Sequence, residues 1–320
     1  MLYHKMIQVS VNFAEQNNTD MNQLPKYTWL IETIRRAGKI SHKDLSDKWQ
    51  RHKELSDCRP LHRATFNRWR EAIFDQFSII IDCQKTGGYL YYIANPEDID
   101  EDKLKKWMLD SFAVGNIIGE NLSLKDRIVV DEIPSGRDYL TTLLEAMKEN
   151  RTVEITYKPF GHSHGYTFRI EPFCVKLFEN RWYVLGRNNK GEMRVYGLDR
   201  MEQIISTSDT FKLPKDFSTD DFFSTKYGIV IGHDVKPERI ILRAYNTHKY
   251  YLQSLPLHHS QRMLEDCGEY ADFELFLSPT YDIVMKLLHV GSMVEVISPV
   301  TLRRDMKAWI KDMYNLYKND

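Results

Sequence analysis

Cysteine is scarce in this sequence, and its cysteines lie far apart. There are four of them, at Cys58, Cys83, Cys174 and Cys267. No two form a Cys-x-x-Cys pair, the spacing that zinc ribbons require. Disulfide frameworks are typical of small secreted domains that are dense in cysteine. The spacing therefore argues against a zinc ribbon and a disulfide scaffold, and it favours a reducing compartment.

Long hydrophobic runs are also missing. No stretch approaches the roughly 20 consecutive apolar residues of a membrane helix. Residues 1–20 lack the basic start, apolar core and small-residue cleavage site of a secretion signal. Apolar residues make up 42% and charged residues 28% of the chain, a balance typical of folded proteins. We expect a cytoplasmic protein with no membrane partner, starting at Met1 or Met21.

Charge is nearly balanced over the whole chain, but it is unevenly distributed. Residues 22–95 carry 13 Lys and Arg against 8 Asp and Glu, whereas the remainder carries 31 against 37. A basic segment ahead of an acidic remainder is typical of proteins that bind a polyanion. A solvated helical face would have a similar composition, so both interpretations stay open.

The basic segment has the pattern of three helices and a hairpin. An apolar helical pattern follows Leu24, Ser41 is placed as the N-cap of a second helix, and Pro60 suits the first turn of a third. Two short strands, Ser78–Asp82 and Tyr89–Ile93, are joined by a turn with two adjacent glycines. Residues 22–95 are therefore predicted to form a winged helix-turn-helix, preceded by a tail over 1–21.

The third predicted helix carries polar side chains opposite its apolar stripe. In winged helices this helix enters the major groove of DNA. Arg can form a bidentate pair with guanine, and Asn can do so with adenine. The hairpin tip is placed to meet backbone phosphates. The DNA-binding candidates are His62, Arg63, Thr65, Asn67, Arg68, Arg70 and Lys85. The alternative is a basic, solvated helix on a structural domain.

Later segments predict further domains, and the fold class is α+β multidomain. Asn95-Pro96 and an acidic run mark a boundary, after which residues 96–129 are predicted to be a helical linker with a short strand at Ile128–Val130. Residues 130–208 have the close strand spacing of a small β-barrel. Its strands are predicted near Val153–Tyr157, Thr167–Val175, Arg181–Arg187 and Met193–Leu198. Residues 214–320 predict a βαββαβ ferredoxin-like domain with an extra C-terminal helix.

Several short sequence pieces occur in order within the predicted barrel. They are Ile155-Thr156-Tyr157, Arg169-Ile170-Glu171-Pro172-Phe173, Arg181-Trp182-Tyr183-Val184-Leu185-Gly186 and Arg194-Val195-Tyr196-Gly197-Leu198-Asp199-Arg200-Met201. This pattern resembles the WYL-domain family of bacterial transcriptional regulators, whose Trp-Tyr-Leu run here reads Trp-Tyr-Val. The family's order of winged helix, WYL domain and C-terminal extension fits most of the chain.

The resemblance implies that the central block is an Sm/SH3-like barrel that binds a nucleotide or a short nucleic acid. Carried over by position, the ligand-binding residues are Tyr157, Arg169, Arg194 and Arg200. A guanidinium group matches phosphate geometry, so an arginine cluster favours an anionic ligand. The alternative is that each arginine is tied to a carboxylate, as Arg200 could be to Asp199 or Glu171. Gly197 stands where many relatives carry another arginine.

Together these patterns predict a ligand-responsive transcriptional regulator that binds a double-stranded operator as a homodimer, without a cofactor. Adjacent His258 and His259 are not accompanied by a metalloprotease, hydrolase or Walker-type motif. We therefore predict no catalytic residue and no metal site. Two alternatives remain open: a single-strand nucleic-acid binding protein without a regulatory role, and a nucleotide-processing enzyme.

Overall fold

A computed structural model describes residues 23–129, 136–232 and 234–318. The chain divides into two compact units, residues 1–130 and 131–320. The described part mixes helices with three antiparallel sheets, which is an α+β fold. No helix in the described ranges combines the length and apolarity needed to cross a bilayer. The predicted tail, residues 1–21, lies outside these ranges.

The described residues of the first unit form six helices and a small sheet. The helices are α1 (Leu24–Ala37), α2 (His42–Arg51), α3 (Lys53–Ser56), α4 (Arg63–Phe77), α5 (Glu97–Glu101) and α6 (Lys103–Glu120), and a 3₁₀ turn spans Leu122–Arg127. The strands are β1 (Ile40–Ser41), β2 (Ile81–Gln84) and β3 (Leu90–Ile93). Their order is β1-β3-β2, so the hairpin also pairs with the segment between the first two helices.

Local side-chain bonds set the starts of α2 and α4. The Ser41 hydroxyl accepts a hydrogen bond from the Asp44 amide at 3.1 Å, which confirms the predicted N-cap. The third predicted helix begins at Arg63 rather than at Pro60. The amide of Leu61 donates to the Ser46 hydroxyl at 3.0 Å, and this bond holds the residues after Pro60 outside the helix. A further short helix, Lys53–Ser56, lies between α2 and α4.

Aromatic contacts join α4 to the rest of the first unit. Trp69 packs edge-on against Trp49 of α2 with ring centroids 5.0 Å apart, and Phe66 packs against Tyr91 of β3 at 4.6 Å. These side chains are the buried stripe of α4, so its opposite side is free to face outward. The apolar run predicted as a strand at Ile128–Val130 is not a strand at its first two residues. Their side chains are exposed, and the third residue lies outside the described residues.

The second unit contains two larger sheets. Its helices are α7 (Leu140–Lys148), α8 (Thr219–Phe223), α9 (His248–Ser254), α10 (Tyr281–Val290) and α11 (Val300–Tyr317), with 3₁₀ turns at Arg137–Tyr139, Leu198–Arg200 and Gly291–Met293. Its strands are β4 (Arg151–Tyr157), β5 (Tyr166–Phe178), β6 (Arg181–Asn188), β7 (Met193–Gly197), β8 (Met201–Thr210), β9 (Glu238–Tyr245), β10 (Arg262–Asp266), β11 (Tyr270–Leu277) and β12 (Val294–Ser298).

The first of these sheets is a meander whose last strand returns to its first. The strand order is β7-β6-β5-β4-β8, so β8 pairs with β4. Strand β8 was absent from the sequence prediction because most of its residues are polar, and its pairing with β4 stabilises it instead. Leu143 of α7 is fully buried and packs in one core with Val153 and Ile155 of β4.

The second sheet has the order β10-β11-β9-β12, and all its pairs are antiparallel. Its elements follow the βαββαβ chain order that the sequence predicts, with α11 added at the end. Alternate residues of β9, such as Ile240 and Leu242, are buried in one core with Ile283 and Leu287 of α10. Arg243, the residue after Leu242, faces the other side of the sheet.

A segment between the two sheets is hydrogen-bonded to β5 on one side and to α10 on the other. The ammonium of Lys176 in β5 donates to the Gly228 carbonyl at 2.6 Å, and burial lowers the pKa of Lys176 to about 8. The next two amides, of Ile229 and Val230, both donate to one carboxylate oxygen of Asp282 in α10 at 2.7 Å. Asp282 therefore fixes the path of this segment.

We predict that Asp282→Ala lowers the free energy of unfolding by about 2–3 kcal/mol, because it leaves two backbone amides without their charged acceptor. Asp282→Asn, which keeps an acceptor oxygen, should retain most of that stability. Urea unfolding of the full chain measures both variants. Equal stability of Asp282→Ala and wild type would show that the two amides are satisfied in another way.

Candidate functional site

The first half of α4 presents an exposed polar surface. His62, Arg63, Asn67 and Arg68 are all exposed, and Thr65 is half-buried. Neither Arg63 nor Arg68 forms a salt bridge with any residue in the described ranges. The N-terminal end of a helix adds partial positive charge and free amides to such a surface. The arrangement suits an anionic partner with hydrogen-bonding groups.

Arg70 lies in a different environment from the other arginines of α4. Its Nε donates to the Ile81 carbonyl at 2.9 Å, and its Nη2 donates to the same oxygen. Its guanidinium also lies 5.3 Å from the centre of the Tyr91 ring. These contacts join α4 to the hairpin. Arg70 therefore stabilises the packing of the hairpin on α4 and does not extend into solvent as Arg63 and Arg68 do. Lys85 is exposed at the hairpin tip.

A residue that the sequence did not single out lies beside this surface. His42 begins α2, and its ring lies 5.3 Å from that of Phe66. Burial, and secondarily the charge of Arg63, lower the pKa of His42. The imidazole is therefore neutral near pH 7 and adds no charge beside Arg63. Nothing in its sequence position distinguished it from the other histidines.

In the second unit, Arg169 and Arg194 are paired with carboxylates. Arg169 Nε lies 3.2 Å from a Glu154 carboxylate oxygen, and its Nη1 lies 2.9 Å from Asp209. Arg194 Nη2 lies 2.9 Å from a carboxylate oxygen of Glu192. Both arginines are therefore paired with carboxylates, which is one of the two arrangements that the sequence left open.

Arg200 and Tyr157, in contrast, lie together. The Arg200 guanidinium carbon is 5.3 Å from the centre of the Tyr157 ring and 5.1 Å from that of Phe160. Asp199 gives one carboxylate oxygen to Arg181 at 3.2 Å, and its other oxygen is 3.9 Å from Arg200 Nε, too far for a hydrogen bond. That Nε is buried and has no hydrogen-bond partner among the described residues.

Arg169 and Arg200 do not converge on one pocket. The ring of Phe168, the residue before Arg169, lies 6.3 Å from that of Tyr157. Successive side chains of a strand point to opposite faces, so Arg169 faces away from Tyr157 and Arg200. The predicted cluster is thus divided between two faces of the sheet.

Several aromatic residues beside Arg200 were not predicted as site residues. Tyr166 stacks on Phe168 with ring centroids 5.2 Å apart, and Phe168 lies 5.3 Å from Tyr196. Burial raises the pKa of Tyr157, and it raises the pKa of Tyr196 to about 12, so both phenols are neutral hydrogen-bonding groups. Phe160 and Tyr166 are exposed by 72% and 52%. The alternation Tyr166-x-Phe168 was the sequence signal that could have revealed this surface.

Comparison with known families identifies the block that carries this site. Residues 138–205 match the family model of the WYL domain. This segment is a WYL domain. It includes Tyr157, Phe160 and Arg200, and it excludes the whole first unit and the second sheet of the second unit.

Two solved structures are similar to the chain at low scores. Proteasome accessory factor B/C (PafBC) of Arthrobacter aurescens has a TM-score of 0.27 and 16% identity, and the match covers 76% of this chain. The chain spans 39% of the length of PafBC. A CRISPR Cas-related protein has a TM-score of 0.37 and 9% identity, with 84% of this chain and 76% of that chain covered. No curated protein matches the chain.

Two glycines leave room for the turn that carries Arg200 in the WYL domain. A Cβ on Gly197 would lie 2.6 Å from Asp199 Oδ1 and 2.8 Å from Arg200 Nη2. Gly136, which precedes the WYL domain in the chain, lies close to the same turn. A Cβ there would lie 2.5 Å from the backbone of Leu198 and Asp199. Absence of a side chain at position 197 thus lets the Arg200 guanidinium lie over the strand end.

His258 is hydrogen-bonded within the turn that precedes β10. His258 Nδ1 lies 2.7 Å from the Ser260 hydroxyl, which in turn accepts a hydrogen bond from the Phe276 amide at 2.9 Å. The described ranges contain no group of three His, Cys, Asp or Glu side chains that could hold a metal ion. His258 therefore anchors the turn before β10 to β11.

We predict that Gly136→Ala destabilises the chain by at least about 2 kcal/mol more than Gly191→Ala. Both glycines have a left-handed φ, +69° and +80°, but a Cβ on Gly191 meets nothing within 4 Å. The difference thus isolates the close approach of Gly136 to the Arg200 turn. Thermal unfolding of the two variants measures it, and equal destabilisation would mean that the turn can move aside.

Proposed function

We propose that this chain is a ligand-responsive, DNA-binding transcriptional regulator. In this proposal residues 22–95 are a winged helix-turn-helix that reads double-stranded DNA. The WYL domain, an Sm/SH3-like barrel within residues 130–208, senses a nucleotide or a short nucleic acid. Residues 96–129 are a linker, and residues 214–320 are a ferredoxin-like extension. The observation that carries the proposal is the exposure of Arg63 and Arg68 on α4, neither of which forms a salt bridge with a described residue.

The reading surface is supported by the contacts of α4. Arginines that a protein needs for its own fold are paired, as Arg70 is with the Ile81 carbonyl. Arg63 and Arg68 instead extend from a helix whose buried stripe fixes its orientation. Exposed guanidinium groups on a rigid helix can form bidentate pairs with guanine, and Asn67 can pair with adenine. Lys85 at the hairpin tip would contact phosphates.

The sensing site is supported by the surroundings of Arg200. Its guanidinium is not hydrogen-bonded through Nε to the neighbouring Asp199, and its carbon lies 5.3 Å from the centre of the Tyr157 ring and 5.1 Å from that of Phe160. Exposed aromatic rings stack on nucleobases, while arginine binds phosphate. We therefore propose Tyr157, Phe160, Tyr166 and Arg200 as the ligand site. Arg169 and Arg194 keep structural roles, because their carboxylate partners already neutralise them.

A single-strand nucleic-acid binding protein is the second candidate, favoured by the exposed aromatic rings of Phe160 and Tyr166. The two candidates differ in whether α4 discriminates between duplex sequences. We propose no catalytic activity, since no metalloprotease, hydrolase or Walker-type motif accompanies His258 and His259 in the sequence. Duplex selection from a random DNA pool, with and without nucleotides, separates the candidates and supplies the operator for the tests below.

We predict that Arg63→Ala and Arg68→Ala each weaken binding to the selected duplex by ~1–3 kcal/mol, because each loses a base-reading contact. Lys85→Ala should weaken binding to all duplexes and reduce the slope of affinity against salt by about one charge. Fluorescence anisotropy across a salt series measures both effects.

The matched control for these substitutions is Arg304→Ala, which removes an exposed arginine from the second unit. Its DNA affinity should equal that of wild type. If Arg63→Ala and Arg68→Ala also bind like wild type, α4 is not the reading helix, and the proposal fails.

We predict that a nucleotide or short single strand at ~100 times its dissociation constant stabilises the protein by ~2.7 kcal/mol. Arg200→Ala should abolish this rise in melting temperature, because the anion loses its guanidinium. Phe160→Ala, at an exposed ring, should weaken ligand binding by ~1–3 kcal/mol while the fold is kept. A thermal-shift screen of nucleotides, cyclic nucleotides and oligonucleotides measures these changes.

Arg169→Ala is the control for the sensing site, since that side chain faces away from Tyr157. It should retain the ligand-induced shift. A ligand response that disappears with Arg169→Ala and persists with Arg200→Ala would place the ligand on the opposite face. No response to any anion would remove the sensing role from the WYL domain.

A further inference from the structure

A cleft in the first unit lies where α6 packs on α1. Its volume is about 250 Å³, the space of about eight molecules of liquid water, so it fits a compact ligand and not a polymer. Part of its wall is apolar, formed by Trp29 of α1 with Ala113 and Ile117 of α6. The charged side chains on its wall are Glu32, Arg36 and Lys48. An apolar wall with a few charged groups is typical of a small-molecule site.

The carboxylate of Glu32 is largely buried but weakly neutralised. Its side chain is 16% exposed. One carboxylate oxygen lies 3.4 Å from Arg35 Nη1, and the other lies 3.8 Å from Arg36 Nε, which is beyond hydrogen-bond distance. Arg35 is also shared with Asp100 at 3.5 Å and with Asp110 at 3.7 Å. A carboxylate removed from water needs a close cationic partner, so Glu32 offers the cleft an acceptor for an ammonium group.

The opposite charge on the cleft wall comes from Lys48 in α2. Its side chain is exposed and forms no ion pair with any residue in the described ranges. The guanidinium of Arg36 is also exposed, and its Nε lies 3.8 Å from Glu32. Ammonium and guanidinium groups without close partners bind carboxylates through charge-assisted hydrogen bonds. The cleft therefore has a place for a carboxylate as well as for an ammonium group.

The apolar part of the cleft is held by contacts on both helices. Trp29 packs edge-on against Trp49 with ring centroids 4.9 Å apart. The side-chain amide of Asn116 in α6 donates to the Pro25 carbonyl at 3.1 Å, which joins α6 to the start of α1. An apolar group beside Trp29 and Ile117 leaves water, which is favourable. A ligand that satisfies all parts of the wall combines an ammonium group, a carboxylate and a compact apolar side chain.

We propose that this cleft binds a free α-amino acid with an apolar side chain. The ammonium group of the ligand lies against Glu32, and its carboxylate lies against Lys48 and Arg36. Its side chain packs on Trp29 and Ile117. This inference goes beyond the proposed function, because it uses only the first unit and requires neither DNA nor the WYL domain. Since the ligand contacts α1, α2 and α6 together, it stabilises the packing of these three helices.

Isothermal titration calorimetry of the full chain tests the proposal with L-valine, L-leucine, L-methionine and L-phenylalanine. At least one of them should bind to wild type. Lys48→Ala and Glu32→Gln should each raise its dissociation constant at least about tenfold, because each removes a charge-assisted contact. Ala113→Leu should do the same by filling the apolar part of the cleft without a change of charge. The matched controls are Lys43→Ala and Glu71→Gln, at exposed residues of α2 and α4 that do not line the cleft.

Analogues of the amino acid that binds test its two charged ends separately. For leucine these are isocaproate, which lacks the ammonium group, and isoamylamine, which lacks the carboxylate. Each should bind at least about tenfold more weakly than the amino acid. An analogue that binds as tightly as the amino acid overturns the proposed ligand class.

Unchanged circular dichroism shows that a variant is folded, and Lys48→Ala keeps the test decisive because that side chain has no ion pair with a described residue. The proposal is overturned if none of the amino acids binds, or if binding is retained in both Lys48→Ala and Ala113→Leu. Amino-acid binding by a chain that selects no DNA duplex would remove the proposed function and leave this inference in place.

Discussion

The return of β8 to β4 is the constraint on which the candidate ligand site depends. Tyr157, at the end of β4, is the register partner of Met201, at the start of β8. The next amide, of Lys158, donates to the Arg200 carbonyl at 2.9 Å. The pairing thus brings Arg200 beside a ring more than 40 positions earlier in the chain. Without it, the Arg200 guanidinium would have no aromatic surface to lie on.

Close packing at two glycines also restricts the turn that precedes β8. Gly197 and Gly136 both approach the turn that carries Arg200 so closely that a Cβ would overlap with it. These close approaches restrict the turn and the side chains on it, and Arg200 lies at the end of the turn. A binding residue fixed in this way loses little conformational freedom when a ligand arrives, which favours affinity.

Charge neutralisation separates the residues that hold the fold from those that are free to bind. Arg169, Arg194 and Arg70 have carboxylate or carbonyl partners within the protein. Arg63 and Arg68 have no salt bridge with a described residue, and Arg200 is left with an unpaired Nε.

The sequence by itself determined the local elements of this protein. Ser41 as an N-cap, the hairpin before Ile93 and the βαββαβ order all follow from short-range propensities and hydrophobic periodicity. The motif pieces around Trp182 also identified the WYL domain. Strand β8 escaped prediction because it is mostly polar, and its pairing with β4 is a long-range property.

Tertiary structure alone decided which of the predicted site residues meet. A motif gives the positions of Arg169 and Arg200 but not the sheet face on which each side chain lies, because that depends on register and bulges. Likewise, nothing in the helical pattern of residues 63–70 distinguishes Arg70 from Arg68. Only the hairpin, folded back against α4, supplies the Ile81 carbonyl that binds Arg70 and leaves Arg68 exposed.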